Sequence, residues 1–423
     1  MDRPNPQLAR LSPAQAAARL GIQASTLRAY VARNLIDTEV DDDGTATFDA
    51  HDIDSLAAQR QRHGDGVHAA PKAMGSPGTA TIELESDITL IEADDLFFRG
   101  TRAVTLAAEL SFEDAARLLW SNGKAHPKAG PFTVDEATAK LARRAHAAVG
   151  KSAGLVDGLT LAVLVAGSHD PLRYDLSADV VCGAGERIIA AMVESLPGSS
   201  PTDPSASMAE RLWSKLSPKT ADADDIALLD SALVLCMDHD IVTSTLAARV
   251  AASARAHPYA AVAAALGAFD SRLLGSGSIA AHEMLEQALR LKNPERALAM
   301  QLHKGRGIPG FSHRVYTRQD PRAAFLLDRM RQLPRYRNAI AAADGLIAAV
   351  DARAPRPANV DLALGALAIG AEMQRDAGQL IFAVARTAGW IAHIVDEYSQ
   401  PALRMRPDIH YVGPLPKPSV LVR

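Results

Sequence analysis

The chain has 423 residues, a net charge of −4, and a composition that is 48 % hydrophobic but only 4 % aromatic. Its length allows two or three domains with substantial cores, and its charge gives no global reason to expect a nucleic-acid partner. Abundant Ala and Leu with few β-branched runs favour helix over strand. The two cysteines, Cys182 and Cys236, lack metal spacing and read as ordinary buried thiols of a reducing compartment. No apolar leader follows Met1, and no segment reaches the roughly 18 apolar residues of a membrane helix. A soluble, cytoplasmic protein is therefore expected, with no membrane partner.

Residues 1–62 read as a separate unit. Ser12-Pro13 is a good helix start, a capping hydroxyl followed by a proline that needs no amide partner. Ala17, Leu20 and Ile22 supply apolar contacts around a turn at Gly21, and Ser25 can cap a second helix. Asp41-Asp42-Asp43-Gly44 reads as a hairpin tip between short strands, followed by a helix from about His51 to Arg62. This order resembles the winged helix-turn-helix of MerR-type regulators, through Thr26-Leu27-Arg28-Ala29-Tyr30 and Asn34-Leu35-Ile36. The resemblance makes Arg28 and Arg33 the candidate DNA contacts. Against it, the wing is acidic from Glu39 to Asp43, which repels phosphate. Residues 1–62 carry seven Arg and no Lys against nine Asp and Glu, a net of −2. Operator binding and a fold kept as a dimerisation arm or lid both stay open. Residues 63–80, rich in Gly, Pro, Ala and His, suit a linker.

Beyond residue 80 helical periodicity dominates. Thr81 to Ile91 alternates as short strands do, and leads to a turn at Phe98-Arg99-Gly100 and an amphipathic helix through Ser111–Trp120. Gly183-Ala184-Gly185 is too short for a nucleotide loop and is better explained by close helix packing. The most informative stretch is Gly307-Ile308-Pro309-Gly310-Phe311-Ser312-His313-Arg314-Val315-Tyr316, followed by Asp320-Pro321-Arg322. A Gly/Pro-braced loop offers backbone amides to a ligand, and His and Arg beside it suit an organic acid. Together with Cys236-Met237-Asp238-His239-Asp240, Asn359-Val360-Asp361-Leu362 and Phe382–Trp390, it resembles the citrate synthase family, in the family's order. The resemblance implies an all-α fold: a two-domain helical body over residues 81–423, preceded by the small winged helix-turn-helix. The smaller domain, about 275–367, would close over the substrates, with the large domain forming the remainder.

Citrate synthases join the methyl carbon of an acyl-CoA to the ketone of oxaloacetate, then hydrolyse the thioester. The coenzyme A thioester is a substrate, and neither a permanent cofactor nor a metal is implied. By resemblance, Asp361 is the base and His313 polarises the ketone. His239, Arg322, Arg386 and Arg406 contact the dicarboxylate, where the planar guanidinium binds carboxylate bidentately and keeps its charge. Ile308, Pro309, Gly310 and Phe311 hold coenzyme A through the backbone. The last arginine reaches in from a neighbouring subunit in the family, which implies a homodimer. On the residues alone, Asp361 can be a helix cap, His239 a solvated residue at a helix start, and each Arg a surface ion pair.

One position departs from the pattern. The family's Pro-Leu-His-Gly-Gly, whose histidine donates to the enolate oxygen, aligns with Arg272-Leu273-Leu274-Gly275-Ser276-Gly277. Leu274 has no donor, and losing one such donor commonly lowers rate by roughly 10²–10³. His282 lies eight residues on, more than ~10 Å along a helix, while Ser276, Ser278 or a backbone amide can substitute in part. Two functions follow as expectations. One is an acyl-CoA:oxaloacetate condensing enzyme, slowed by Leu274 or turned toward a larger acyl group such as propionyl. The other is an acyl-CoA or dicarboxylate sensor that signals through its first 62 residues.

Overall fold

A computed structural model describes residues 10–22, 27, 31, 36, 38–40, 46–50 and 53, then 84–123, 130–149, 154–198, 203–271, 274–303 and 307–405. The chain separates into two units, Met1–Leu84 and Glu85–Arg423.

In the first unit, β1 (Arg10–Leu11), α1 (Pro13–Arg19), β2 (Glu39–Val40) and β3 (Ala46–Asp49) follow one another, and the strands pair antiparallel in the order β1-β3-β2. Ser12 caps α1 as expected: its Oγ accepts from Gln15 N (3.3 Å) while Ser12 N donates to Gln15 Oε1 (2.8 Å). Leu11, Ala16, Ala17, Leu20, Leu27, Ile36, Phe48 and Ile53 bury one another in a core of the unit's own. The expected hairpin tip at 41–44, the candidate DNA contacts Arg28 and Arg33, and nearly all of the expected helix from His51 lie outside the described residues.

The second unit opens with a three-stranded meander, β4 (Thr89–Glu92), β5 (Asp95–Phe98) and β6 (Thr101–Arg102). Residues 84–88 are not strand and β4 begins only at Thr89, later than the alternation suggests, because the turns set the pairing. Ala93 and Asp94 both have positive φ (52° and 63°), as do Arg99 and Gly100 (48° and 80°), the geometry that lets two residues reverse a twisted hairpin. Pairing runs back from Glu92↔Asp95 to Thr89↔Phe98.

Helices follow: α2 (Ala103–Glu109), α3 (Phe112–Trp120), α4 (Glu136–Ala147), α5 (Leu155–Ser168), α6 (Ala178–Ser195), α7 (Met208–Leu216), α8 (Ala223–Cys236), α9 (Thr243–Ser253), α10 (Pro258–Phe269), α11 (Gly277–Leu291), α12 (Pro294–His303), α13 (Pro321–Arg331), α14 (Arg337–Asp351), α15 (Val360–Gly370) and α16 (Ala377–Ser399). Their starts are chemically marked. Ser111, Asp135, Ser207, Asp222 and Asp320 each accept a backbone N–H with the side chain.

Helix α16 runs through the core, with Leu380, Ile381, Val384, Trp390, Ile391 and Ile394 all buried; each such side chain contributes about 1.5–3 kcal/mol. By length and composition alone this 23-residue helix is long and apolar enough to cross a membrane, contrary to the sequence expectation. Yet 89 % of that apolar window is buried inside the protein, which makes it a core helix here. Gly185 lets α6 approach it: a Cβ there would lie 3.0 Å from Ile391 Cγ2, in line with the close packing expected for Gly183–Gly185. Of the two free thiols, Cys236 is buried but Cys182 is only half-buried, so the expectation of two buried thiols holds for one.

Candidate functional site

Helix α11 packs on α12, α14 and α15, and α13 on α14 and α15. The site forms where the chain enters α11, α13 and α15 and meets α8 and α16. Each entry is built from sequence-local chemistry. Asp320, fully buried, is the N-cap of α13 and takes four donors: Arg322 N (3.0 Å), Nε (3.0 Å) and Nη2 (2.9 Å), and Val360 N of α15 (3.0 Å). One carboxylate thereby holds the Arg322 guanidinium and the start of α15 together. Arg322 is 2 % exposed, so it is no surface ion pair. Burial pulls its pKa down, but adjacent Asp320 more than offsets this and the net shift is upward.

Asn359, not Asp361, caps α15: its Oδ1 accepts from Asp361 N (3.0 Å) and its Nδ2 donates to Ser312 O (2.9 Å). The helix-cap alternative for Asp361 therefore falls, and its carboxylate is left for other work. Burial pushes that carboxyl up to about 6, with Arg322 opposing the rise and Asp320 adding to it. The carboxylate lies against Gly277 at the start of α11, where any Cβ would collide with Oδ2. The turn carrying Leu274, itself half-buried, thus ends beside Asp361.

The loop from Gly307 is sewn to the same segment. Ser312 N donates to Pro357 O (2.8 Å), Asn359 N donates to Gly310 O (2.9 Å), and Phe311 pairs with Ala358 in an antiparallel bridge. Gly310 is required twice over: its φ is +78°, and a Cβ would lie 2.8 Å from Leu362 Cβ. Ile308 and Pro309 are half-buried, and Phe311 is buried.

His313 follows this loop; Val315 N donates to its Nδ1 (3.2 Å), and Arg322 Nη2 lies 3.5 Å from its Nε2. His239, in the turn after α8, is 6 % exposed and not the solvated residue of the alternative reading. Its ring centroid lies 4.8 Å from that of His313. Burial, then the charges of Arg322, His313 and Arg386, hold its pKa well below the usual value. Arg386 on α16 is 2 % exposed, donates through Nε to Cys236 O (3.0 Å), and lies 4.7 Å from the Phe382 ring centroid. Burial lowers its pKa to about 10, against the counter-charge of Asp238. The site thus gathers Asp361, His313, His239, Arg322 and Arg386 from four distant stretches of sequence. Arg406 lies outside the described residues.

Sequence reading missed four contributors. They are Asp320, Asn359, Tyr316, whose hydroxyl is 3.0 Å from His239 Nε2, and Asp238. Asp238 is fully buried and accepts from Thr89 Oγ1 (2.5 Å) and faces His393 Nε2 (3.3 Å). Cap signals were legible at Asp320-Pro321 and at Asn359; nothing local announces the other two. Among the described residues no group of His, Cys, Asp and Glu is arranged to hold a metal.

A long helical body bringing together two histidines, two buried arginines and an elevated-pKa carboxylate has the chemistry to hold a polyanionic organic acid and to transfer a proton. The family model described as "Citrate synthase, C-terminal domain" matches residues 78–408. The chain belongs to the citrate synthase family. It is 27 % identical over 368 residues to "Citrate synthase 2" of Bacillus subtilis, covering 79 % of this chain and 96 % of that protein. It is equally 27 % identical, over 357 residues, to "2-methylcitrate synthase 2" of Corynebacterium glutamicum, covering 76 % and 90 %. The crystal structure of citrate synthase from Thermotoga maritima superposes with a TM-score of 0.63 at 26 % identity, covering 81 % of this chain and 97 % of that one. The fold is also that of the Thermoplasma acidophilum citrate synthase solved as a ternary complex with carboxymethyl coenzyme A and oxaloacetate. That match has a TM-score of 0.65 at 21 % identity and covers 80 % and 96 %. The family match begins at residue 78, so the unit Met1–Leu84 lies almost wholly outside it.

Proposed function

We propose that the protein condenses an acyl-CoA, acetyl or propionyl, with oxaloacetate. The observation that carries this reading is Asp361. A carboxylate whose pKa is pushed up to about 6 beside a glycine-lined turn is poised to take a proton from a weakly acidic carbon near neutral pH. His313 polarises the ketone, while His239, Arg322, Arg386 and Arg406 take the carboxylates. Ile308–Phe311 receive coenzyme A through the backbone, and no permanent cofactor is needed. Residues 81–423 form the catalytic body, with its smaller domain at about 275–367. A cytoplasmic homodimer fits the family resemblance.

Leu274 lowers the rate by removing a donor to the enolate, and its bulk favours a different acyl group. That same residue favours a second reading, a weakly catalytic acyl-CoA or dicarboxylate sensor. In it residues 1–62 act as a winged helix-turn-helix joined by a linker at 63–80, with Arg28 and Arg33 toward DNA. The deciding experiment measures thiol release with oxaloacetate plus acetyl-CoA or propionyl-CoA, with Asp361→Asn as the control. Release that requires oxaloacetate and falls at least about 10³-fold in the variant is expected of the enzyme. Binding of both substrates without release above the variant would leave the sensor.

A further inference from the structure

Tyr316 is 1 % exposed and lies against His239, His313 and Arg322. Its ring centroid lies 4.6 Å from His313 at an interplanar angle of 37°, and 5.4 Å from His239 at 77°. The Arg322 guanidinium carbon is 5.6 Å from the same ring. Its hydroxyl meets His239 Nε2 at 3.0 Å across 77 residues of sequence. His313, Tyr316 and Arg322 arise from one short stretch, while His239 arrives from the end of α8. Tyr316 is therefore the piece that joins the two.

The direction of that hydrogen bond can be worked out. Burial raises the phenol's pKa and lowers that of His239, so both groups are neutral and share a single proton between oxygen and nitrogen. Of the two, a phenol O–H (pKa about 10) is the stronger donor and a neutral imidazole nitrogen the stronger acceptor. Nδ1 therefore keeps its hydrogen, Nε2 offers a lone pair, and the phenol donates. We propose that Tyr316 is a positioning residue that fixes His239 as the Nδ1–H tautomer and holds both histidine rings in register for the keto dicarboxylate. The proposal rests on the condensing-enzyme reading for its kinetic consequence but not for the tautomer itself.

Tyr316→Phe removes the hydroxyl and retains the ring. It is expected to weaken oxaloacetate binding by about 3- to 10-fold, with a larger effect on KM for oxaloacetate than on kcat or on KM for the acyl-CoA. Ring ¹⁵N NMR of His239 should change from one Nδ1–H form to a mixture of the two tautomers, a signal that simple loosening of the fold would not produce. Tyr316→Leu, which also removes the ring, should add a loss at kcat through His313. Unchanged oxaloacetate affinity together with an unchanged His239 spectrum in the Phe variant would overturn the proposal. A wild-type protein that shows no turnover would instead sink the enzymatic reading. Calorimetric oxaloacetate binding and the ¹⁵N spectrum would still decide the role of Tyr316.

Discussion

The two halves of the site are built to different standards. On the dicarboxylate side, Arg322 is held twice by a buried carboxylate, His239 by a phenol, and Arg386 by a carbonyl and a facing ring. Each group is buried, and His239 and Arg386 are each fixed by a partner from a different element. On the acyl side, Asp361 has an upward-shifted pKa and faces a turn of Gly and Ser with Leu274 where the family carries its donor. In the proposed reaction, affinity for the acid would be over-determined, while proton removal would depend on one carboxylate and whatever the turn supplies. A family member can thus keep its binding apparatus intact while its rate drifts by a single side chain.

That contrast can be broken most severely at Gly277. Gly277→Ala should push the Asp361 carboxylate away and lower kcat by about 10²-fold, as a misplaced base does, with oxaloacetate affinity changed far less. An equal loss in both would mean that the halves are not separable. Next comes Leu274→His, which should raise the condensation rate by about 10- to 100-fold and leave oxaloacetate KM unmoved in steady-state kinetics.

The smallest effect concerns stability. Because the folded pKa of Asp361 is raised, the folded state holds its proton more tightly than the unfolded chain. This contribution is present below the unfolded pKa and is lost as pH rises through about 6. Asp361→Asn should therefore be more stable than the parent by about 2 kcal/mol at pH 7–8, and the advantage should vanish near pH 4 in thermal melts. The same titration predicts that kcat/KM of the parent falls as pH drops below about 6.

Much of this was legible in the sequence, for physical reasons. The Gly-Ile-Pro-Gly loop, Asp320-Pro321-Arg322 and Asn359-Val360-Asp361 carry their constraints locally, as turn geometry, helix caps and a carboxylate. Over residues 84–88 the alternation gave no strand, because it carried no register and positive φ at Ala93 and Asp94 is not a glycine signature. Tyr316 and Asp238 were not legible at all. Their partners lie 77 and 149–155 residues away, and only packing brings them together. Taken by itself Asp361 reads as a cap, and only Asn359 filling that position removes the reading.

The β4–β5 hairpin has a consequence for how the protein assembles. Thr89 bonds Asp238, and at the hairpin tip Asp94 accepts from Thr317 N (2.6 Å) and from Arg318 Nε (2.9 Å), contacts that span 149 to 224 residues of chain. Contacts of such sequence separation close large loops and form late. The helices can therefore be in place before the hairpin locks the turn of His239 to the loop of His313. The functional centre therefore takes its final form only once contacts of that separation have closed.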